Sequence, residues 1–447
     1  MSQTKVRHSF SLVKYFVFNT CWGAREGEEH KKLIYYYSKL STTTSVSLDQ
    51  KISDIGLAEA VINFGTQFGD ISESLHGNKL RFVFHNLSEN IWSTICISEP
   101  YSVHRSNDDN THFHEVNDFE ISNQFFKLKL ESIYRYFCLL NGPIEKLCSQ
   151  LEREPFLERC SQFFDLFIPH LELLPFNLIE LYSSIQYLPL NNTTFMSVQS
   201  LLNCVQATDH RIESYIFLYN DKLISSQLSL PDTKTLYNYL TNVIIPEAVK
   251  EEINGIANKT RWLQVNMKIY LQSEQTFRSL CLFRSFNGST IGLVLDKYDP
   301  IILQECEALL SSRLTSLTSK LQETVTHLAK QPESKSPNDV SVKDIKFIYI
   351  NNTNCAQRGN TNCRKLIDSD FSRLIIDVEA DLDLLDDENQ MFELIGKNTN
   401  DTWLVANRCD MRTLFAILNH KNANLIEASD MIDALEKGHL KNIFFGV

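Results

Sequence analysis

Three histidines and a glutamate lie close together in the sequence and have side chains that could bind a metal ion. Imidazole nitrogens and carboxylate oxygens are common zinc ligands. The four residues are His104, His112, His114 and Glu115. Their neighbours are mostly Ser, Asn and Asp, a composition typical of a solvated surface loop, and we therefore predict no metal site. A metal hydrolase that uses this loop is the corresponding functional hypothesis.

Acidic residues are concentrated between residues 377 and 393. Asp377, Glu379, Asp381 and Asp383 alternate with other residues, and Asp386 to Glu388 follow as a continuous run. A calcium loop needs a glycine in its middle and a glutamate at its end, and this spacing does not match. The segment is typical of a solvated acidic face or loop, and docking to a basic partner is the functional alternative.

The chain lacks the short motifs that mark most catalytic sites. It has no G-x-S-x-G elbow, no G-x-x-x-x-G-K-S/T phosphate loop and no G-x-G-x-x-G loop after a strand. Its 11 cysteines are scattered from Cys21 to Cys409 without a C-x-x-C pair, which is typical of buried reduced thiols. We predict no catalytic residues, no cofactor, and a protein that is not an enzyme.

Length and charge narrow the class of protein. At 447 residues the chain is long enough for two to four domains, and 43% hydrophobic residues provide material for several cores. The net charge of −12 disfavours nucleic acids and anionic lipid as direct partners. The most apolar window, 163–182, contains Asp165, Glu172 and Glu180, so it is too polar to span a bilayer. With no signal-peptide pattern at the start, the sequence predicts a cytoplasmic protein.

Three short apolar runs, each ending at an asparagine, divide the chain into modules. They are Tyr15–Asn19, Ile216–Asn220 and Phe347–Asn351. Runs that are apolar on both faces are typical of central strands with both sides of the sheet covered. Coincidence is the alternative, because a five-residue match is weak evidence and the runs are unequally spaced.

The residues after each run predict an antiparallel sheet with an inserted helix. In the first module, Ser47 and Gln50 form a capping box that opens a helix to about Phe68. Its apolar residues, including Leu57, Phe64 and Phe68, recur at steps of three and four and predict a wide buried stripe. The other predicted elements of this part are strands at 32–37, 80–85 and 92–98 and helices at 118–141 and 143–174.

The second and third modules repeat this order. Strands are predicted at 222–229, 267–271, 279–286 and 290–297, with helices at 231–253 and 299–330. In the third module we predict a helix near 371–385, strands at 391–396, 403–407 and 413–419, and one or two closing helices. The predicted fold is α+β, with long helices linking modules one and two. The predicted boundaries are 8–142, a helical connector 143–208, 209–330, a linker 331–341, and 342–447.

Four stretches resemble the Ccz family of vacuolar fusion proteins. The turn and strand GAREGEEHKKLIYYY, Gly23 to Tyr37, is similar to the family signature G-P-R-E-G-x-E-E-x-K-I-L-F-Y. The others follow in the family's order: KISDIGLAEAVINF at 51–64, FLYNDKLI at 217–224, and LNHKNANLIE with KNIFF at 418–427 and 441–445. The sequence departs from the family at Ala24 and Ser38, where proline is usual.

The resemblance implies three longin modules and one half of an obligate heterodimer. In the family, this heterodimer is called the Mon–Ccz complex. It is the guanine nucleotide exchange factor for the late-endosomal and vacuolar Rab GTPase, Rab seven. A propeller-bearing regulatory subunit joins it in animals. The implied localisation is cytoplasmic and peripheral on late endosome, lysosome or vacuole membranes, with the membrane address supplied by the partners.

The exchange site of the family lies across the first modules of both subunits. This places candidate contacts in the turn and on the exposed side of the first helix: Arg25, Glu26, Gly27, Lys51, Asp54, Ile55 and Glu59. Each has a structural alternative. Ile55 lies near the apolar stripe and is favoured as a core residue, and Arg25 with Glu26 could form a pair that stabilises the turn. A longin scaffold or tether without exchange activity is the alternative function.

Overall fold

The structure, a computed structural model, divides into two compact units. The first unit comprises Met1–Phe176 with Asp368–Ala380, and the second comprises Asn177–Ile367 with Asp381–Val447. The structure describes residues 6–7, 11–39, 46–69, 72–77, 79–98, 101–105, 112–116, 123–171, 179, 182–254, 260–285, 288–330, 345–359, 375, 378–379, 392–397, 402–409, 411–418 and 423–439.

The first unit is built on a five-stranded antiparallel sheet. Its described elements are β1 (Val6–Arg7), β2 (Ser11–Asn19), a 3-10 turn (Glu29–Lys32), β3 (Leu33–Ser38), α1 (Leu48–Gln67), β4 (Ser74–His76), β5 (Leu80–Ser88), β6 (Ile91–Ser98), β7 (Tyr101–Arg105), β8 (His112–Val116), α2 (Asn123–Asn141), α3 (Ile144–Gln150) and α4 (Arg153–Phe167). The strand order is β3-β2-β6-β5-β4, and β1, β7 and β8 form a small separate sheet.

Helices cover both faces of this first sheet. The side chain of Ser47 accepts a hydrogen bond from the N–H of Gln50, which starts α1 as the capping box predicts. On one face, Ile55 and Ile62 of α1 pack with aromatic residues of β2 and β5. On the other face, α2 contacts β5 and β6, and α4 contacts β3. Because both faces are covered, the central strands are apolar on both sides.

The second unit begins with a second five-stranded antiparallel sheet. Its elements are α5 (Asn192–Thr208), β9 (Ile212–Tyr219), β10 (Lys222–Ser226), α6 (Leu230–Tyr239), a π-helical turn (Leu240–Ile244), α7 (Ile245–Ile253), β11 (Arg261–Leu271), β12 (Thr276–Arg284), β13 (Ser289–Leu295) and α8 (Pro300–Lys330). The strand order is β10-β9-β13-β12-β11. Helices α5 and α8 pack together and share one core with β9, β12 and β13.

A third sheet in the same unit has the same strand order. It contains β14 (Ile345–Asn351), β15 (Ala356–Gly359), β16 (Phe392–Lys397), β17 (Trp403–Cys409) and β18 (Arg412–Leu418), and α9 (Leu425–His439) packs against it. The order is β15-β14-β18-β17-β16. In all three sheets the first strand of the sheet therefore lies between the strand that follows it and the last strand of the same sheet. This confirms an α+β fold of three antiparallel sheets with helices.

The three runs that end at asparagine are confirmed as interior strands with their turns. They form the second halves of β2 and β9 and most of β14. The Oδ1 atom of Asn19 accepts from the N–H of Cys21 at 2.8 Å, and that of Asn351 accepts from Thr353 at 3.0 Å. Asn220 instead takes the left-handed conformation, with φ of 54°. The asparagines thus organise the turns through their side chains or their backbone freedom.

A short segment, residues 185–188, is hydrogen-bonded to the edges of both sheets of the second unit. Its four backbone hydrogen bonds are Ile185 N–H to Cys355 O at 2.7 Å, Gln357 N–H to Ile185 O at 2.9 Å, Leu223 N–H to Gln186 O at 2.8 Å, and Leu188 N–H to Leu223 O at 2.8 Å. The segment runs parallel to β15 and β10 at these points. It therefore joins the second and third sheets at their edges, and we call it the edge bridge.

Two predicted helices are interrupted at prolines. The helix predicted at 143–174 is instead α3 and α4, separated by extended Leu151 and Glu152. Pro155 lacks an N–H group and its ring would clash with the carbonyl of Leu151, so one helix cannot run through this point. The helix predicted at 231–253 contains the π-helical turn just before Pro246, for the same reason. Within the predicted connector 143–208, α4 packs on the first sheet and α5 belongs to the core of the second.

The structure also corrects or leaves aside several smaller predictions. The loop predicted around His104 to Glu115 contains strands β7 and β8, which pair so that His104 lies opposite Phe113. Strands β4 and β15 are short and were missed by the sequence pattern. The helix predicted near 371–385 and the acidic segment 377–393 lie almost wholly outside the described residues, as does the 441–445 motif. None of the described helices is both long and apolar enough to cross a membrane.

Candidate functional site

The first helix, α1, has an apolar surface that its own module leaves open. Leu57 is 42% exposed, Phe64 is 64% exposed and Phe68 is 75% exposed, and Val61 beside them is half-buried. These four residues follow each other at steps of four, three and four, so they form one stripe along the helix. The rings of Phe64 and Phe68 lie 4.7 Å apart between centroids. We call Leu57, Val61, Phe64 and Phe68 the apolar flank.

The apolar flank corrects the prediction of one wide buried stripe. Ile55, Ala58 and Ile62 are buried against the first sheet, with exposures between 1% and 4%. The flank is next to this buried face: Val61 packs partly against the same core, whereas Leu57, Phe64 and Phe68 remain exposed. Exposed aromatic side chains that form a contiguous patch are typical of an interaction surface, whereas single exposed apolar residues need no explanation.

Asp54 and Ile55 lie inside the module and not on the exposed side of the helix where they were predicted. Ile55 is 2% exposed and packs in the core, as its structural alternative predicted. Asp54 is 5% exposed, and its carboxylate binds the Lys14 ammonium at 2.7 Å and accepts from the hydroxyl of Tyr36 at 2.6 Å. Gln50 donates to the same carboxylate at 3.3 Å. A side chain with three partners of its own module is held in place and is not available to another chain.

Burial and the bond to Asp54 keep Tyr36 neutral. Both effects raise the pKa of the Tyr36 hydroxyl above its usual value, with burial as the larger cause. The hydroxyl therefore remains a donor to Asp54 throughout the physiological range. The ring of Tyr36 stacks on Phe16, with 5.9 Å between centroids. This network fixes α1 against β2 and β3.

Lys51 and Glu59 are half-buried and lie on the side of α1 that faces β3. The ammonium of Lys51 lies 5.4 Å from the centroid of the Tyr36 ring, within the range of a cation–π contact. Glu59 forms an ion pair with Lys32 at 2.6 Å. Both residues therefore hold the helix to the strand and its preceding turn. A role in binding another chain stays a prediction for them.

The turn before β3 is held by its own backbone. Gly23 has φ of 59°, and a side chain there would collide with the carbonyl oxygen of Glu28. The N–H of Glu28 donates to Arg25 O at 3.0 Å, and the Glu29 carboxylate accepts from Gly27 N–H at 3.1 Å. Backbone N–H groups of Glu29 and Gly27 thereby lower the pKa of the Glu29 carboxyl. The turn keeps a defined shape although its surface is exposed.

Arg25, Glu26 and Gly27 are exposed at the outside of this turn. Among the described residues, the side chains of Arg25 and Glu26 form no hydrogen bond or ion pair, so the predicted turn-stabilising pair does not form. Lys31 pairs instead with Glu28 at 2.6 Å, and Arg153 of α4 donates to Lys31 O at 2.7 Å. Arg25 and Glu26 are thus free to contact another molecule, and that contact stays a prediction.

Half of the described cysteines are buried, packed thiols. All ten are free, and Cys96, Cys138, Cys160, Cys281 and Cys306 are buried. Burial raises the pKa of the Cys96 and Cys160 thiols to about 12, so neither is a thiolate at neutral pH. Within the described ranges, no three His, Cys, Asp or Glu side chains are grouped as metal ligands. The structure describes the backbone of β7 and β8 but not their side chains, so it does not test the prediction for His104, His112, His114 and Glu115.

The sequence pattern did not predict that Leu57, Phe64 and Phe68 are exposed. The sequence did contain a sign of this exposure. The apolar residues of α1 occupy a wider part of the helix surface than one sheet can cover. The exposed helix with a shaped, exposed turn beside it can bind another protein through apolar burial and a few polar contacts.

Comparisons with known proteins match three separate ranges of the chain to longin domains. Residues 12–142 match a family described as the first longin domain of INTU, CCZ1 and HPS4. Residues 212–299 match Intu longin-like domain 2, and residues 341–435 match Intu longin-like domain 3. The three matched ranges correspond to the three sheets, so each sheet with its helices is a longin-like domain.

Full-length relatives carry one shared description. A protein from Nematostella vectensis described as "Vacuolar fusion protein CCZ1 homolog" is 29% identical over 97% of this chain and 98% of its own length. Relatives of the same description are 28% identical in Xenopus laevis, over 98% of both chains, and 23% identical in Dictyostelium discoideum, over 97% of this chain and 98% of the relative. With three longin-like domains in order and similarity over nearly its full length, the chain belongs to the CCZ1 family of vacuolar fusion proteins.

Proposed function

We propose that this chain is the Ccz-type subunit of a heterodimeric exchange factor that promotes GDP release from the late-endosomal and vacuolar Rab GTPase. The observation that carries the proposal is the similarity to CCZ1 homologues over 97% of the chain, with all three longin-like domains in the same order. Its role would be in endosome maturation and fusion with the lysosome or vacuole. The obligate partner is a Mon-type longin subunit, and a propeller-bearing subunit joins in animals.

The proposed activity requires binding energy and no covalent chemistry. An exchange factor binds the nucleotide-free GTPase more tightly than the nucleotide-bound form, and by thermodynamic linkage the GTPase then holds its nucleotide more weakly by the same factor. Shape and a few polar contacts at the switch region are sufficient for this. We therefore propose that the chain is a regulatory subunit without hydrolytic or transfer chemistry, and without a cofactor.

The apolar flank is the part of the first module that we assign to the partner subunit. Leu57, Phe64 and Phe68 are exposed in the chain alone, and an obligate heterodimer covers such a patch with the apolar surface of its other half. The exposed turn residues Arg25, Glu26 and Gly27 remain for the GTPase or the rim of the partner interface. This assignment replaces Asp54 and Ile55, which the core already uses.

Membrane association would then come through partners. The chain has a net charge of −12, which is repelled by anionic lipid on the cytoplasmic leaflet. We expect the chain to leave late endosomes when the Mon-type subunit is depleted. Retention of the chain on these membranes without that subunit would contradict this part of the proposal.

The exchange activity is tested with the copurified complex of this chain and its Mon-type subunit. The late-endosomal Rab is loaded with fluorescent GDP, and release is followed after addition of excess GTP. We expect a rate that rises with complex concentration, and an early-endosomal Rab serves as the control GTPase. Unchanged release from the late-endosomal Rab would refute the proposal.

A pull-down with the same Rab separates the exchange factor from a longin scaffold or tether. An exchange factor retains the nucleotide-free Rab better than the GTP-bound form. Preferential retention of the GTP-bound Rab, together with unchanged GDP release, would establish the scaffold instead.

A further inference from the structure

We infer that the second longin-like domain has a docking groove for an acidic amphipathic helix of a partner protein, between helices α5 and α8. The groove has a volume of about 380 Å³ and is lined by Met196, Ser197, Ser200, Leu201, Arg313, Ser316, Leu317 and Lys320. The proposal concerns a different domain from the exchange site and does not depend on the exchange activity.

The two helices run antiparallel with a regular register. The guanidinium of Arg313 donates to Cys204 Sγ at 3.1 Å, and the ammonium of Lys320 donates to Ser197 Oγ at 3.3 Å. The partners are seven residues apart on each helix, so each helix presents one face to the groove over two turns. The two cations therefore stand at opposite ends of the groove, about 10 Å apart at 1.5 Å of rise per residue.

The groove is basic in a chain that is acidic overall. Helix α5, Asn192–Thr208, contains no charged residue, and the stretch 308–322 of α8 contains only Arg313 and Lys320. Among the described residues neither cation has a carboxylate partner, and both side chains are exposed. A thiol sulfur and a hydroxyl are weak, neutral acceptors. The two positive charges are therefore not neutralised, and carboxylates of a ligand would form stronger, charge-assisted hydrogen bonds.

The floor of the groove is apolar. Leu201 and Leu317, with exposures of 3% and 4%, lie between the two cations, and Met196 beside them is 66% exposed. A methionine at the edge of a groove adapts to the shape of different apolar side chains. Free phosphate would use only the charges and would leave the exposed apolar side chain of Met196 uncovered. An amphipathic segment uses both features.

The spacing of the cations favours a helical ligand. Two carboxylates seven residues apart on a helix are separated by about 10 Å and point to the same side, and apolar residues at the third and fourth positions between them point there too. Such a helix would place its carboxylates at Arg313 and Lys320. Its apolar residues would contact Met196 above the buried Leu201 and Leu317. This is the arrangement of an amphipathic helix bound in a groove.

The test uses a fluorescein-labelled, alanine-rich helical peptide with two glutamates seven residues apart and two leucines between them. Binding to the full chain is measured by fluorescence polarisation. We expect saturable binding that weakens as salt is raised. Replacing the glutamates with glutamine, or the leucines with alanine, should weaken binding by at least about 10-fold, since charged hydrogen bonds and buried leucines each contribute this much.

The matched protein variants are Arg313→Glu/Lys320→Glu and the control Lys250→Glu/Lys297→Glu. The control changes the net charge equally, at exposed lysines outside the groove. We expect loss of at least about 10-fold in peptide affinity for the first variant and an unchanged value for the control. Because all four side chains are exposed, both variants should fold, and thermal unfolding checks this.

Three results would overturn the proposal. One is the absence of peptide binding at millimolar concentration, and another is equal weakening by both charge-reversed variants, which would indicate non-specific attraction. The third is another occupant. Binding to phosphoinositide vesicles that Arg313→Glu/Lys320→Glu abolishes, without peptide binding, would assign the groove to a lipid headgroup. Self-association abolished by the same variant would assign it to a second copy of the chain.

Discussion

The double change Phe64→Gln/Phe68→Gln tests whether the apolar flank binds the partner subunit. The two rings are 64% and 75% exposed in the chain alone. Burying a phenylalanine side chain completely stabilises by about 1.5–3 kcal/mol. Scaled by the fractions that are still exposed, the two rings together would contribute about 2–4 kcal/mol to association. This corresponds to a loss of roughly 30- to 1,000-fold in the affinity of the subunits.

The same change should leave the isolated chain nearly as stable as before. Phe64 lies on the surface of α1 and Phe68 directly follows its last residue. Glutamine is a good helix former. Surface substitutions of this kind usually alter the free energy of unfolding by no more than about 0.5 kcal/mol. The loss of affinity would therefore not come from unfolding, and circular dichroism with thermal unfolding verifies this.

The affinity is measured by mass photometry of the Mon-type complex at increasing dilution. The control is Ile253→Gln/Ile301→Gln, at isoleucines that are 78% and 64% exposed in the second longin-like domain. We expect the complex with the flank variant to dissociate at much higher concentration than the wild type and the control. GDP release from the late-endosomal Rab should fall with the amount of intact complex. If the flank variant dissociates at the wild-type concentration, the assignment of the flank to the partner is wrong.

Three further predictions concern the scaffold. Asp54→Ala should lower the free energy of unfolding, measured in urea, by about 3–5 kcal/mol, because Lys14, whose side chain is 14% exposed, loses its carboxylate partner. The double variant Lys14→Met/Asp54→Leu should recover most of this stability. Equal losses in both variants would contradict the explanation by paired charges. Ile185→Pro removes the N–H that donates to Cys355 O. In hydrogen–deuterium exchange, the amides of β15 should therefore exchange faster in this variant than in the control Ile185→Val. Equal rates would show that the edge bridge does not hold this strand. Burial lowers the pKa of His85, so the unfolded chain binds a proton at higher pH than the folded chain does. Stability should therefore fall as the pH drops below about 6.5. His85→Gln should make stability less dependent on pH, and an unchanged slope would exclude His85 as the source.

The order of elements was predictable because it depends on local patterns. The runs Tyr15–Asn19, Ile216–Asn220 and Phe347–Asn351 alone locate an interior strand in each domain. Their pairing could not be read in this way, because a strand pairs with residues distant in sequence. The short edges β4 and β15 were missed for a different reason: three or four residues of mixed polarity are too few for a period to be recognised.

The candidate contacts were predicted on α1 and in the turn before β3, and two of them, Asp54 and Ile55, are buried in the module instead of exposed. Asp54 was expected at the surface because it is charged, and a charge is rarely buried unless it is paired. Its partners, Lys14 and Tyr36, come from two strands, so no spacing within α1 could reveal them. Phe64 and Phe68 were expected in the core of the module because apolar periodicity predicts which side of a helix is buried. It does not indicate whether the same chain or a partner covers that side.

A buried Asp54 next to two exposed phenylalanines supports the proposal of an obligate complex. A buried ion pair contributes little net stability compared with apolar residues of the same size, because both charges lose their hydration. The module places this pair under α1 while it leaves two phenylalanines in water beside it. For a chain that functions alone, exposed aromatic residues lower solubility and contribute nothing to its fold. For one half of a heterodimer, they contribute on association, and the ion pair fixes the orientation in which α1 presents them.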